Sequence, residues 1–224
     1  MMEPELKNVV RVTPSEKIRF KCSGCGECCR HVKETVPVDC QDIFYLSKFF
    51  RDSGEKFDCT DQVLQKFAEP VLINESGYFV YFLKSVGEQD ACIFLKDNRC
   101  RIQKAKPKAC KIYPFVVEPN ESGKHRYLLS RERTAHFKGP QTDVKAWMKK
   151  YFNQESREFL ASDFGTAPQI SILLRGIPEN RKTEALLHFH RLRYSEYDLD
   201  QPFLDQFQRN QEKLLAVLES MCEN

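Results

Sequence analysis

Apolar residues fall at two distinct spacings along this chain, and each spacing predicts its own kind of element. Ile43, Leu46 and Phe50 recur at helical intervals behind Asp39, a candidate N-cap with Asp42 near the third helical position, so a helix is expected over 39–50. Val63, Leu64 and Phe67 predict a second helix over 61–68. The runs Val71-Leu-Ile and Tyr78-Phe-Val-Tyr-Phe-Leu flank Asn74-Glu-Ser-Gly77 and read as a β-hairpin. Val116-Val and Tyr127-Leu-Leu read as another, around Asn120-Glu-Ser-Gly123. Between them Ile93, Phe94 and Leu95 suggest a short strand, Asp97-Asn98 a turn, and Cys100 to Ile102 a returning strand, so that Cys92 and Cys100 flank one hairpin. After Gly139-Pro140 the pattern turns helical. Val144, Trp147, Met148, Tyr151 and Phe152 form one apolar stripe, which makes the only tryptophan a packing residue. Gly165 and Gly176-Ile-Pro178 are expected breaks among further helical faces at Ile170–Leu174, Ala185–Leu192 and Phe203–Leu218. The expected fold is α+β, with a small antiparallel hairpin core carrying cysteine-rich loops and a mainly helical C-terminal portion. Its expected parts are an arm over 1–17, a cysteine domain over 18–139, and a helical region over 140–224 packed on that domain.

Cysteine changes this picture most. Seven of the ten cysteines form a spaced set: Cys22, Cys25, Cys28 and Cys29 near the start, then Cys92, Cys100 and Cys110. Two residues between thiolates let a tight turn aim both sulfurs at one ion, and Gly24 and Gly26 suit such a knuckle. The adjacent pair Cys28-Cys29 is poorly disposed to chelate one ion, so these two are expected to serve different centres, or one of them only to line the site. Pro107 and Pro114 fix the backbone on either side of Cys110. Ten is also an even number, which a secreted protein would use for disulfides. Met1–Val10 shows no basic segment followed by an apolar core, and a cytoplasmic, reduced protein is therefore expected. No segment approaches the ~20 apolar residues of a membrane span.

Charge adds little. Thirty-five basic and 32 acidic residues leave a net +3, which gives no strong nucleic-acid signal. The basic stretch Lys104–Lys111 reads as a solvated ligand loop. Cys40 and Cys59 read as small buried hydrophobes and Cys222 as a free thiol. His188 and His190 read as ordinary helical positions, and His136, close to the segment Ser130–Ala135, is a weak reserve candidate.

Several of these segments together resemble the CxxCxxCC cysteine-cluster family of zinc- or iron-chelating proteins, which includes the flagellin lysine N-methylases. The resemblance runs over roughly residues 18–140: Phe20-Lys-Cys22 to Cys29-Arg30, Val38-Asp39 to Leu46, Cys92-Ile-Phe-Leu, Cys100-Arg-Ile, Lys106-Pro107-Lys-Ala-Cys110 and Tyr113-Pro114-Phe115. Family members add a Ser-x-x-Cys-Pro-Gly segment. Here Ser130-Arg-Glu-Arg133-Thr134-Ala135 holds that place without the cysteine, leaving seven motif thiols. The resemblance implies metal held by Cys22, Cys25, Cys28, Cys29, Cys92, Cys100 and Cys110. A three-cysteine centre would be completed by His31 or His125, or would keep an open position. Zinc, an iron ion and an iron–sulfur cluster all accept thiolates, and the odd count with the vicinal pair tilts the expectation to [4Fe–4S]. The resemblance also raises S-adenosylmethionine-dependent methylation of a protein lysine, although no Gly-x-Gly-x-Gly nucleotide turn and no Cys-x3-Cys-x2-Cys triplet is present. The competing expectation is a structural zinc module that meets a protein partner through its helical part.

Overall fold

The computed structural model describes residues 8–22, 24–119 and 125–222. Its elements, in chain order, begin with strands β1 (Val9–Val12) and β2 (Lys17–Arg19), a 3-10 turn at Glu27–Cys29, and β3 (Pro37–Val38). Helices α1 (Cys40–Asp52) and α2 (Thr60–Phe67) follow, then β4 (Ala68–Leu72) and β5 (Phe79–Leu83). Four two-residue strands come next: β6 (Ser85–Val86), β7 (Ala91–Cys92), β8 (Leu95–Lys96) and β9 (Arg99–Cys100). Helix α3 (Lys108–Ile112), β10 (Phe115–Pro119), β11 (His125–Ser130), a 3-10 turn at Thr134–Lys138 and β12 (Gln141–Asp143) complete the cysteine-bearing half. The rest is helical: α4 (Val144–Tyr151), α5 (Gln154–Gly176), α6 (Lys182–His190), a π turn at Arg191–Ser195 and α7 (Phe203–Cys222). The architecture is α+β.

Local chemistry explains where elements begin. Asp39 caps α1 by accepting from the Asp42 N–H at 2.9 Å, which satisfies one of the free amides of the first turn. Strands β4 and β5 form the hairpin expected around Asn74–Gly77, with Leu72 opposite Phe79. Strand β4 starts at Ala68, earlier than Val71, and runs through Pro70. Because the sheet order is β3-β5-β4, Pro70 lies on an edge strand, where a missing donor is tolerated. Strands β10 and β11 pair as expected, and β1 adds to β11, so the arm supplies an edge strand. The turn expected at Asn120–Gly123 lies outside the described residues.

Two expectations are corrected. Cys92 does not share a hairpin with Cys100: it pairs with Ser85, while the second hairpin joins Leu95 to Cys100 through Asp97 and Asn98 at φ 50° and 59°. Those positive angles belong to the two-residue turn that matches strand twist. Helix α5 does not break at Gly165 but continues through Gly165 and Pro168 to Gly176. Phe159, Ile170 and Leu174 on its buried face are fully covered, and this packing outweighs the local cost of the two helix breakers.

The larger apolar cluster joins both halves of the chain. It contains Ile43, Phe44 and Leu46 of α1, Phe94 and Ile102 of the cysteine loops, Phe159 and Leu174 of α5, and Phe203, Phe207 and Leu218 of α7. Phe203 sits 5.4 Å, centroid to centroid, from both Phe44 and Phe159. A smaller cluster gathers Val12, Phe115, Leu129, Val144, Met148 and Phe152 beneath the β1-β11-β10 sheet. Among the described residues no helix is long and apolar enough to cross a membrane.

Candidate metal centre

The CxxCxxCC segment carries little regular structure and is fixed at its ends. Phe20, 2% exposed, wedges among Tyr113, Phe137 and Trp147, with Tyr113 and Trp147 meeting it edge-on. Its carbonyl accepts from Thr142 Oγ1 at 2.8 Å, and β2 just before it pairs with β12. Trp147 is thus a packing residue that also donates from Nε1 to the Ile112 carbonyl. At the other end the His31 and Val32 amides donate to the Gln89 and Asp90 carbonyls.

Between these anchors Gly24 and Gly26 take φ values of 69° and 75°, and the Cys29 amide closes the 3-10 turn onto the Gly26 carbonyl. Gly26 meets a second demand as well. A Cβ there would stand 2.9 Å from the Asn98 carbonyl oxygen and 3.0 Å from Leu95 Cδ1, so the knuckle lies directly on the Leu95–Cys100 hairpin. Arg30 adds a side-chain bond to Asn98 Oδ1, and Arg133 Nη2 donates to the Arg30 carbonyl at 3.2 Å. Gly26→Ala combines positive-φ strain of roughly 1–2 kcal/mol with this clash, so metal affinity should fall by about tenfold or more. A competitive chelator titration of the variant measures this, and an unchanged affinity would show that the knuckle does not need its present shape.

Cys110 arrives by a different route. Helix α3 is tied to the start of α1 by Lys108, whose Nζ reaches Asp39 Oδ1 at 2.7 Å and Gln41 Oε1 at 3.1 Å and whose amide donates to Asp42 Oδ1 at 2.8 Å. Burial opposes the Lys108 charge, but Asp39 and Asp42 outweigh it and push the ammonium pKa up. Asp42 is raised to about 6, by burial first and by Asp39 second. The basic stretch is therefore solvated only in part. Lys104 is exposed, but Lys108 is a mostly buried strut paired with carboxylates distant in sequence, and Lys106 lines the thiol cleft.

The structure brings the seven motif cysteines into one neighbourhood. Cys22, Cys25, Cys28, Cys29 and Cys100 line a cleft of about 30 Å³ together with Lys106, Tyr113 and His136. Cys92 and Cys110 lie close enough to raise the Cys29 thiol electrostatically, and Cys28 and Cys100 act on both of them in turn. Cys22 and Cys25 are exposed, Cys92 is buried, and none of the ten cysteines is in a disulfide. Burial pushes up the thiols of Cys92, Cys100 and Cys110. Cys28 behaves oppositely: the hydrogen bond with the Cys29 thiol, helped by Lys106 and Arg133 against burial, lowers it to about 6. Cys29 is raised as the other member of this pair. The two sulfurs stand 4.0 Å apart, in hydrogen-bonding contact.

Among the described residues no three His, Cys, Asp or Glu side chains already form a metal-binding group. Pairs of them nevertheless have ligand spacing. A tetrahedral zinc sets two thiolates about 3.8 Å apart and a thiolate and an imidazole about 3.6 Å apart. Cys28 and Cys29 stand at 4.0 Å, and Cys25 Sγ lies 3.4 Å from His136 Nε2. The donor set is soft, suits zinc or iron, and has cationic side chains beside it to offset thiolate charge. These residues fit the group.

The remaining sequence candidates are placed elsewhere. His31 is exposed at φ 54°, and among the described residues no side-chain contact ties it to the thiols. His125 packs edge-on against Phe152 with Arg157 nearby. His136, only a reserve candidate, lines the cleft, and its Nδ1 lies 2.9 Å from the Tyr113 hydroxyl. Outside the cleft, Cys40 is buried, and the Cys222 thiol contacts the Leu173 carbonyl. His190 contacts Tyr81, Asp61 and Ser195.

A comparison with solved structures finds no match. A family model described as "CxxCxxCC: putative zinc- or iron-chelating domain" matches residues 21–140, which are 120 of the 224 residues. That segment covers more than half of the chain and contains every thiol of the cleft, and the protein belongs to the CxxCxxCC family.

Proposed function

We propose that this protein binds zinc or iron as thiolate-held ions in the cleft formed by Cys22, Cys25, Cys28, Cys29, Cys92, Cys100 and Cys110. The observation that carries the reading is the convergence of these seven thiols, from separate stretches of sequence, beside Lys106 and Arg133. Bound there, the metal supplies cross-linking: it joins the knuckle, the short hairpins and α3, which otherwise share few regular hydrogen bonds. One detail favours single ions over a [4Fe–4S] cluster: the Cys28 and Cys29 sulfurs, 4.0 Å apart, have the spacing of two ligands on one tetrahedral ion, against the sequence-based expectation that the adjacent pair serves different centres.

Anaerobic purification with elemental analysis and an absorption spectrum tests this. Stoichiometric zinc or iron without inorganic sulfide is the expected result. Brown protein with acid-labile sulfide would replace the ion reading with the cluster, and metal-free protein from metal-supplemented growth would overturn both. S-adenosylmethionine-dependent methylation of a protein lysine would be an activity added to metal binding. Calorimetric titration of the metal-loaded chain with S-adenosylmethionine decides it, since absence of heat at high concentration rejects that addition.

A further inference from the structure

We infer that His136 is a metal ligand of this centre, donating Nε2 to the ion that Cys25 binds, with Tyr113 as the residue that positions its ring. This rests on the metal-binding reading above and adds to it a nitrogen donor from outside the thiol set.

Three observations converge on His136. Its Nε2 is 3.4 Å from Cys25 Sγ, close to the roughly 3.6 Å that a tetrahedral ion imposes between imidazole nitrogen and thiolate sulfur. The opposite ring nitrogen, Nδ1, lies 2.9 Å from the Tyr113 hydroxyl, and the two rings meet edge-on at 5.7 Å. A ligand histidine held through its other nitrogen by a polar group has a fixed orientation and a fixed tautomer. Here a hydrogen on Nε2 would have to be lost, and with Nδ1–H donating to the Tyr113 oxygen, Nε2 presents its lone pair to the ion.

The backbone brings His136 there independently of the thiols. It sits in the 3-10 turn Thr134–Lys138, directly before β12, whose pairing with β2 places this turn over the start of the CxxCxxCC segment. Phe137, the next residue, packs on Phe20, two residues before Cys22. Arg133, the residue that opens this turn, reaches the Arg30 carbonyl. Its guanidinium cannot ligate a metal, and His136 supplies a donor from the same turn. The predicted set is Cys25, His136 and two further thiolates of the cleft, for zinc or ferrous iron.

Anaerobic titration of the full, metal-stripped chain with cobalt(II) separates this inference from the reading beneath it. Wild-type protein should develop thiolate-to-cobalt charge-transfer bands and a tetrahedral ligand-field envelope of mixed sulfur and nitrogen type. If it takes up no cobalt, the metal-binding reading fails and His136 with it. His136→Ala should keep the charge-transfer bands, change the ligand-field envelope, and bind roughly 10- to 100-fold more weakly. Tyr113→Phe should keep the wild-type envelope and weaken binding by about tenfold. An alanine variant with wild-type envelope and affinity would overturn the inference while leaving the metal-binding reading intact. Should His136→Ala fail to fold, His136→Cys decides. A move of the envelope to lower energy, as an all-thiolate site gives, supports ligation, and an envelope identical to wild type overturns it.

Discussion

Stripping the metal should unfold the cysteine loops and lower the midpoint of thermal unfolding by many degrees, while the α5–α7 helices keep much of their protection. Structural thiolate-bound zinc contributes ~10 kcal/mol or more in small domains that are unfolded without it. The loops of this chain resemble such domains locally. Among the described residues of 20–36 the only regular element is a 3-10 turn, and β6 to β9 are each two residues long. The helical part differs, because Phe159, Ile170, Leu174, Phe189, Phe203 and Leu218 are almost wholly buried within long, regularly hydrogen-bonded helices. Hydrogen exchange with and without chelator should therefore show its largest increase over 20–36 and 84–113 and its smallest in α7. Equal exchange in both states would mean that the thiol cleft is self-supporting. The pH dependence has a definite sign. Burial raises the thiols of Cys92, Cys100 and Cys110, so metal must displace protons from them, and affinity should fall as pH is lowered.

Asp163→Ala is expected to cost about 3–5 kcal/mol. Arg193, from the π turn, has a side chain only 4% exposed, and both of its terminal nitrogens meet the Asp163 carboxylate of α5, at 2.6 and 2.9 Å. Burial opposes the guanidinium charge, but Asp163 outweighs it and keeps the pKa well above the usual arginine value. Its guanidinium carbon also stands 5.6–5.7 Å from the ring centroids of Tyr78, Phe189 and Tyr194. Removing Asp163 strands a cation that can neither deprotonate nor reach water. Removing both charges should be much milder. In denaturant unfolding, Asp163→Ala/Arg193→Met should recover most of the loss. A double variant as unstable as the single one would mean that Asp163 contributes through packing and not as a counter-charge.

What could be read from the sequence was local. The Asp39 cap, the hairpin around Asn74–Gly77 and the α4 stripe through Val144 and Met148 each depend on residues within a few positions, and each stands as expected. The misread features depend on distant partners. Ser85 captures Cys92 because the strand after β5 turns back on itself, a choice that no signal around Asp97-Asn98 reveals. Lys108 looks like a surface lysine until Asp39 and Asp42 are brought beneath it. His136 is 111 positions from Cys25, and no local signal in the sequence brings the two together.

The shared core around Phe203 also bears on how the protein can be cut. The family match ends at residue 140, yet Phe44 of α1 and Phe94 of the cysteine loops belong to the same buried cluster as Phe159, Phe203 and Phe207. A fragment that stops at the family boundary would carry every thiol but turn the roof of its own core outward, leaving an aromatic surface prone to self-association. Segment 21–140 is therefore expected to need residues 141–222 to cover its core, and metal binding is best measured on the full chain.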